Sequence, residues 1–232
     1  MPGVLYLIPS FLGFADKTLI SQKNLGIIHS LRHFIVENEK SARQFLKETG
    51  TPMPQSEFSI SVMDKHHPEA EIREMLAPVK EGFSMGIISE AGLPCVADPG
   101  NLVVREAYNQ GIKVVPLAGL NSLMMALMAS GFNGQQFSFH GYLPHDKTER
   151  AKKIKEMERE AAKGVTQIFM ETPYRNQKLF EELTLLCQLQ TRLCLAMKIS
   201  FPEEWIVTRS IFDWKKSKPV LDKMPVVFLL GN

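Results

Sequence analysis

The stretch "SEAGLPCVADPG", Ser89 to Gly100, sets two carboxylates, Glu90 and Asp98, among two glycines and two prolines directly after the apolar run "MGII". Connections between regular elements are commonly ~4–6 residues long, so a segment of this length and composition does more than turn a corner. Two other segments share its character: "PSFLGFAD" (Pro9 to Asp16) after the first apolar run, and "LAGLNS" (Leu117 to Ser122) after "IKVVP". Each is rich in Gly, Pro or small polar residues, which let a ligand approach the backbone closely. Ligands of open parallel sheets bind beyond the carboxyl ends of the strands, so three such loops on one edge describe a candidate pocket; the alternative is three ordinary turns. No GxGxxG follows a strand and no GxxxxGK[ST] occurs, which removes the dinucleotide fingerprint and the P-loop phosphate cradle. Glu90 and Asp98 would repel phosphates and tolerate a cation. A nucleoside bearing a positive sulfonium suits such a wall better than a nucleoside triphosphate.

Metal chemistry finds no support. Cys95, Cys187 and Cys194 have no ligand spacing and form no even disulfide set. His66 and His67 lack a cluster of further ligands and read as a loop pair. The methionines, as in "SLMMALMAS", fall at apolar helical positions and are explained by core packing.

The elements that must position these loops follow from apolar patterning. Val4–Ile8, Arg32–Val36, Met85–Ile88 and Ile112–Leu117 read as buried strands. Helices are expected over 40–48, within 66–82, from Asp98 (cap) and Pro99 (first turn) to Gly111, and from Asn121 to about Met128. Strand, helix, strand at this spacing implies parallel pairs with right-handed crossovers. The second half reads as strand Gln136–Leu143, a charged helix, strand Val165–Met170 and helix Asn176–Gln188. Strands near 193–197, 205–208 and 226–230 follow, joined too closely for helical crossovers and therefore antiparallel. The expectation is α/β, with a mainly parallel N-terminal domain over residues 1–117 and a mixed-sheet C-terminal domain over 118–232.

Composition sets the bounds. With 232 residues, 44% hydrophobic and 22% charged, the chain can bury a core in one large or two small domains. No apolar run approaches the ~20 residues of a membrane span, and the N-terminus reads as a strand rather than a signal peptide. A reducing cytoplasm is the expected location. The net charge of +2 is compatible with a nucleic-acid partner without pointing to one. The most basic segment, His145 to Gly164, mixes seven Lys and Arg with five Asp and Glu and reads as a solvated helix face.

One longer pattern narrows the possibilities. "GIISEAGLPCVADPGNLVVREAYNQGIKVVPLAGLNSLMMALMASGF" (Gly86 to Phe132) resembles the S-adenosyl-L-methionine-binding core of the tetrapyrrole methylase superfamily, nearest to its small-subunit ribosomal RNA cytidine 2′-O-methyltransferase branch. That branch carries SDAGTPxISDPG, of which this chain keeps Ser89, Ala91, Gly92, Pro94, Asp98, Pro99 and Gly100. "FHGYLPHDKTER" (Phe139 to Arg150) resembles its FxGFLPxKxxxR, and "METPYR" (Met170 to Arg175) its YESPHR. Departures cluster elsewhere. The family's TPIGNLAD is "PSFLGFAD" here, its AEDTR is "VENEK" (Val36 to Lys40), and Leu93 replaces a Thr. The chain also ends at Asn232, where the ribosomal enzymes commonly continue into a small helical extension.

The resemblance implies a homodimeric two-domain methyltransferase with S-adenosyl-L-methionine in a cleft between domains. By position, the cofactor wall comprises Leu12, Ser89, Gly92, Leu93, Val96, Asn121 and Ser122, joined from the second domain by Met170, Glu171 and Ala196. A ribose hydroxyl needs a general base, and Glu37 and Glu171 are the candidates, against a competing and favoured reading of each as a structural carboxylate bonded to loop backbone. Lys40, Lys147 and Arg175 are candidates for phosphates of an RNA substrate from the small ribosomal subunit, each equally readable as a surface charge. A tetrapyrrole-like small-molecule acceptor and a non-catalytic cofactor-binding relative are the competing readings.

Overall fold

The computed structural model describes residues 3–63, 69–221 and 223–232. The expected loop pair His66–His67 lies outside them. The chain divides into two compact units, Met1–Asn121 and Ser122–Asn232.

The first unit contains, in chain order, β1 (Val4–Ile8), α1 (Gln22–Ser30), β2 (His33–Val36), α2 (Glu39–Glu48), β3 (Ser59–Val62), α3 (Glu69–Met75), α4 (Ala77–Lys80), β4 (Met85–Ile88), α5 (Asn101–Asn109) and β5 (Lys113–Pro116). The strands form one parallel sheet in the order β3-β2-β4-β1-β5. Pro116, which cannot donate to a ladder, sits on the edge strand β5, where that omission costs least. Side-chain alternation along the strands feeds two cores. Ile8, Phe34, Val36 and Ile88 pack with Ile28 of α1 and Phe45 and Leu46 of α2. Leu5, Ile35, Met85 and Ile87 pack with Ile72, Val79 and Val103 of α3, α4 and α5 on the opposite face. The crossover leaving β1 therefore covers one face and that leaving β4 the other, so the sheet has its topological switch point between these adjacent strands.

In the second unit, α6 (Ser122–Ser130) precedes β6 (Phe137–Tyr142), α7 (Lys147–Ala162), β7 (Thr166–Met170), α8 (Asn176–Leu186), β8 (Arg192–Met197), β9 (Trp205–Ser210), α9 (Ile211–Lys216) and β10 (Val226–Gly231). The sheet order is β6-β7-β10-β8-β9, with β6 and β7 parallel and the remaining neighbours antiparallel. Phe169, Leu195 and Phe228 form its core with Ile154 and Met157 of α7, Phe180 of α8 and Trp214 of α9.

Several elements differ from the sequence expectation. The helix within 66–82 is interrupted at Leu76. Asp98 does not cap α5, whose N-cap is Gly100 without a side-chain bond; its carboxylate is occupied within the preceding loop. The strand β3 and the helices α1 and α9 were not expected. No helix among the described residues is long and apolar enough to cross a membrane.

Candidate functional site

The segments following β1 and β4, the two strands at the switch point, are tied together. The Ser10 backbone N–H donates to the Gly92 carbonyl at 2.9 Å. The Ser89 hydroxyl donates to the same carbonyl at 2.7 Å and lies 3.3 Å from the Ser10 hydroxyl, with both serines buried. Gly92 has φ +75°, and a Cβ there would stand 3.1 Å from Leu12 Cδ2 and 3.4 Å from the Leu120 carbonyl oxygen. Leu12, Ser89 and Gly92, expected to share a wall, are thus brought together, and Leu120 of the third loop joins them.

That third loop is held by residues the sequence reading missed. Asn24, buried on α1, donates from Nδ2 to the Ala118 carbonyl at 2.7 Å. Gly119 passes so close to Pro9 that a Cβ would come within 2.2 Å of the ring. The available signal was a polar Asn on the inward face of an otherwise apolar helix turn, "NLGII".

Further along the second loop, Cys95 and Ala97 adopt φ +67° and +63°, the left-handed region that costs a side-chain-bearing residue ~1–2 kcal/mol. Asp98 braces this turn, its Oδ1 accepting from the Cys95 N–H at 2.7 Å and the Gly100 N–H at 2.9 Å. Burial pushes the Asp98 carboxyl upward against the lowering effect of those two donors. Burial, and then the neighbouring Asp98 charge, pushes the Cys95 thiol up to about 11. Leu93 is half-buried, and Val96 is 40% exposed. Glu90 is exposed and accepts from the Ser41 hydroxyl of α2 at 3.1 Å. The lining is apolar and acidic, and it includes no Lys or Arg from these loops.

Glu37 is half-buried at the end of β2, beside β4. The next residue, Asn38, caps α2 by accepting from the Lys40 and Ser41 N–H groups at 2.9 and 3.2 Å. Asn and Asp cap about equally well, so the departure from an Asp here leaves the helix start intact. Lys40 is exposed. Asn121 and Ser122, both half-buried, stand on either side of the division between the units.

In the second unit Met170 and Ala196 both pair with Val227, so the three side chains form one row across β7, β10 and β8. Val227 is a further member that the sequence reading lacked; only strand register reveals it. Glu171 is buried, with one oxygen accepting from the Thr172 N–H at 2.8 Å and the other paired with Arg175 at 2.8 Å. Both oxygens are therefore engaged, one by backbone and the other by the Arg175 side chain. Arg175 also hydrogen-bonds His145. Lys147 is exposed at the start of α7.

The segment "GYLPHDKTER" is organised by Arg150. This guanidinium, 4% exposed, pairs bidentately with Glu182 of α8 at 2.6 and 2.8 Å. Its Nη1 donates to the Pro144 and His145 carbonyls at 2.9 and 2.8 Å. A residue read as part of a solvated face is the clamp that fixes the loop after β6.

No family model matches the chain. Among characterised proteins it is similar to "Ribosomal RNA small subunit methyltransferase I" of Vibrio cholerae, 30% identical over 176 residues, covering 74% of this chain and 56% of that protein. The proteins of the same name from Pasteurella multocida and Leptospira biflexa are 25% and 27% identical, covering 99% of this chain and 79% and 91% of theirs. The chain thus spans about half of the first relative and most of the other two. Among solved structures it matches the methyltransferase CobJ with a TM-score of 0.65 at 18% identity, covering 100% of this chain and 95% of that one. It matches the cobalt precorrin-4 methyltransferase CbiF with a TM-score of 0.63 at 15% identity, covering 98% and 94%. These two likenesses show the fold.

Proposed function

We propose that this chain, a member of the tetrapyrrole methylase superfamily by sequence similarity and fold, transfers a methyl group from S-adenosyl-L-methionine to a ribose 2′-hydroxyl of small-subunit ribosomal RNA. The observation that carries the reading is the strained, doubly braced loop at the switch point. Backbone held in left-handed conformations at Cys95 and Ala97 persists only where its surroundings over-determine it, and such strain gathers at ligand sites. The donor set fits the cofactor. Apolar Leu12, Leu93 and Val96 suit an adenosine and the aliphatic part of a methionine chain, Gly92 keeps the backbone approachable, and Glu90 favours the sulfonium cation over a phosphate.

Bound S-adenosyl-L-methionine supplies an electrophilic methyl group. The chain's residues orient it and exclude water, which is most of what an in-line displacement requires. Leu12, Ser89, Gly92, Leu93, Val96 and Asn121 form the wall from the first unit. Ser122, Met170, Glu171 and Ala196 are the cofactor residues of the second. Glu37 is the base that accepts the hydroxyl proton. Glu171, engaged by Arg175 and backbone, holds the turn after β7 in place. Lys40 is proposed for RNA phosphates. Function as a homodimer and a cytoplasmic location complete the reading.

The test is isothermal titration with S-adenosyl-L-methionine and S-adenosylhomocysteine, followed by transfer of labelled methyl to unmodified small ribosomal subunits. Binding of both ligands, weakened about tenfold or more by Val96→Lys with an unchanged thermal midpoint, is expected. Because Val96 is partly exposed, this variant separates loss of the site from loss of the fold. Ligand binding without transfer to RNA would move the acceptor to a small molecule; neither ligand binding would sink the cofactor assignment.

A further inference from the structure

The carboxyl ends of β6 and β7 carry a feature that cofactor binding does not use. Tyr142, the last residue of β6, is 58% exposed, and Tyr174, in the turn after β7, is 79% exposed. A tyrosine ring held in water is a large apolar face available to a partner. The two strands are parallel neighbours, with Tyr142 in register with Met170 and Tyr174 in the turn that follows it, so both residues stand at the same edge of the sheet. Their loops are rigidly mounted. Arg150 holds the first through the Pro144 and His145 carbonyls and anchors it to α8 through Glu182. Arg175, fixed by Glu171, hydrogen-bonds His145 and so joins the second loop to the first.

Positive charge flanks the rings. Lys147 opens α7 just after the first loop, and Lys178 stands in the first turn of α8 just after the second, both exposed. Both charges act on the carboxylate of Glu182, the partner of the Arg150 that holds the first loop. Exposed aromatic faces interleaved with cations are how proteins hold unpaired nucleic acid: bases stack on the rings and phosphates meet the ammonium groups. A protein partner would favour a contiguous apolar patch without two lysines beside it.

We propose that Tyr142 and Tyr174 form a stacking platform for unpaired bases of single-stranded RNA, with Lys147 and Lys178 taking its phosphates. This rests on the RNA-directed reading above and names a surface through which the substrate would be engaged. The test is fluorescence anisotropy of the full chain with an end-labelled single-stranded RNA of ten mixed nucleotides, and with the same backbone lacking its bases. Tyr142→Ala and Tyr174→Ala are each expected to weaken binding of intact RNA about fivefold or more, whereas Tyr→Phe at either position retains it within about twofold. Base removal should weaken binding to the wild type and have no effect on the double Ala variant. Lys147→Ala with Lys178→Ala should flatten the log–log salt dependence by ~0.7 per lysine. The proposal is overturned if the wild type does not bind the RNA, does not distinguish it from the base-free strand, or binds it equally after both Tyr→Ala changes. S-adenosylhomocysteine titrated into the same preparations separates the two ideas. Ligand binding with indifferent tyrosines removes the platform alone, and tyrosine-dependent RNA binding without ligand binding removes the cofactor reading alone.

Discussion

Two glycines set how closely the loops of the first unit can approach, and each makes a distinct prediction. At Gly92 the backbone is left-handed, and an added Cβ meets only the end of the Leu12 side chain and, less closely, a carbonyl oxygen. Gly92→Ala should therefore cost ~1–2 kcal/mol, mostly from the backbone term, while the fold persists. At Gly119 the obstacle is the Pro9 ring at 2.2 Å, which cannot rotate away. Gly119→Ala should push the first and third loops apart and cost more than Gly92→Ala, with a larger loss of S-adenosylhomocysteine affinity. Urea unfolding and ligand titration of the two variants check the order; a smaller effect at Gly119 would mean that the Pro9 contact yields easily. The same scale explains why a departure from a family pattern need not be a lesion. Asn38→Asp should change stability by less than ~0.5 kcal/mol, because either side chain can accept the two N–H groups that Asn38 now caps.

At the scale of elements, the Arg150–Glu182 pair joins α7, α8 and the loop after β6. Removing the carboxylate leaves a buried guanidinium partly unpaired, a loss of ~3 kcal/mol or more for such pairs; Glu182→Ala should show it in urea unfolding. Hydrogen bonding to Arg150 holds the Glu182 carboxyl below its ordinary 4.5. Its contribution is therefore complete above that value and lost as pH falls through the lower folded value. The stability difference between wild type and Glu182→Gln should shrink below about pH 4.5. A constant difference down to acid-induced unfolding would contradict that assignment. None of this was visible in the sequence, where Arg150 is one of seven cations in a mixed-charge stretch and its partner arrives from another helix. The parallel strands and their loops were legible because "VLYLI", "MGII" and "IKVVP" are largely apolar runs bounded by Pro9, Ser89 and Pro116, a local signal. The strand β3 was not: "SISV" is a short edge strand defined by its pairing with β2 rather than by burial. Likewise α1 carries Asn24 and Gly26 in its "QKNLGIIHS", and only its Ser21 cap and tertiary packing make it a helix. At the site, the loop glycines and carboxylates were legible, whereas the Ser10–Ser89 lock and the Met170–Val227–Ala196 row depend on register between distant strands.

On the scale of the whole molecule, the cysteines report the two units separately. Cys95 lies in the braced loop of the first; Cys187 and Cys194 are buried in the second. Burial pushes Cys187 up to about 12 and Cys194 to about 11, while burial and Asp98 together raise Cys95 to about 11. At pH 8 a thiol titrating near 11 is ionised in about one molecule in a thousand, and the thiolate is the nucleophile, so iodoacetamide should label the native chain slowly at all three positions. Unfolded cysteine titrates near ~8.5, which makes a short alkylation pulse a record of opening. Across a urea series Cys187 and Cys194 should become reactive together, because Cys187 packs in one core with Leu193 and Leu195, the two residues that flank Cys194 on β8. Cys95 should follow its own transition. Saturating S-adenosylhomocysteine should move the Cys95 midpoint upward by the stabilisation that binding confers, ~2.7 kcal/mol at a hundredfold excess over Kd. Labelling of Cys194 in step with Cys95 rather than Cys187 would overturn the division at Asn121, and a ligand that left the Cys95 transition unmoved would place the cofactor away from the loop that Ser10, Ser89 and Asp98 hold in shape.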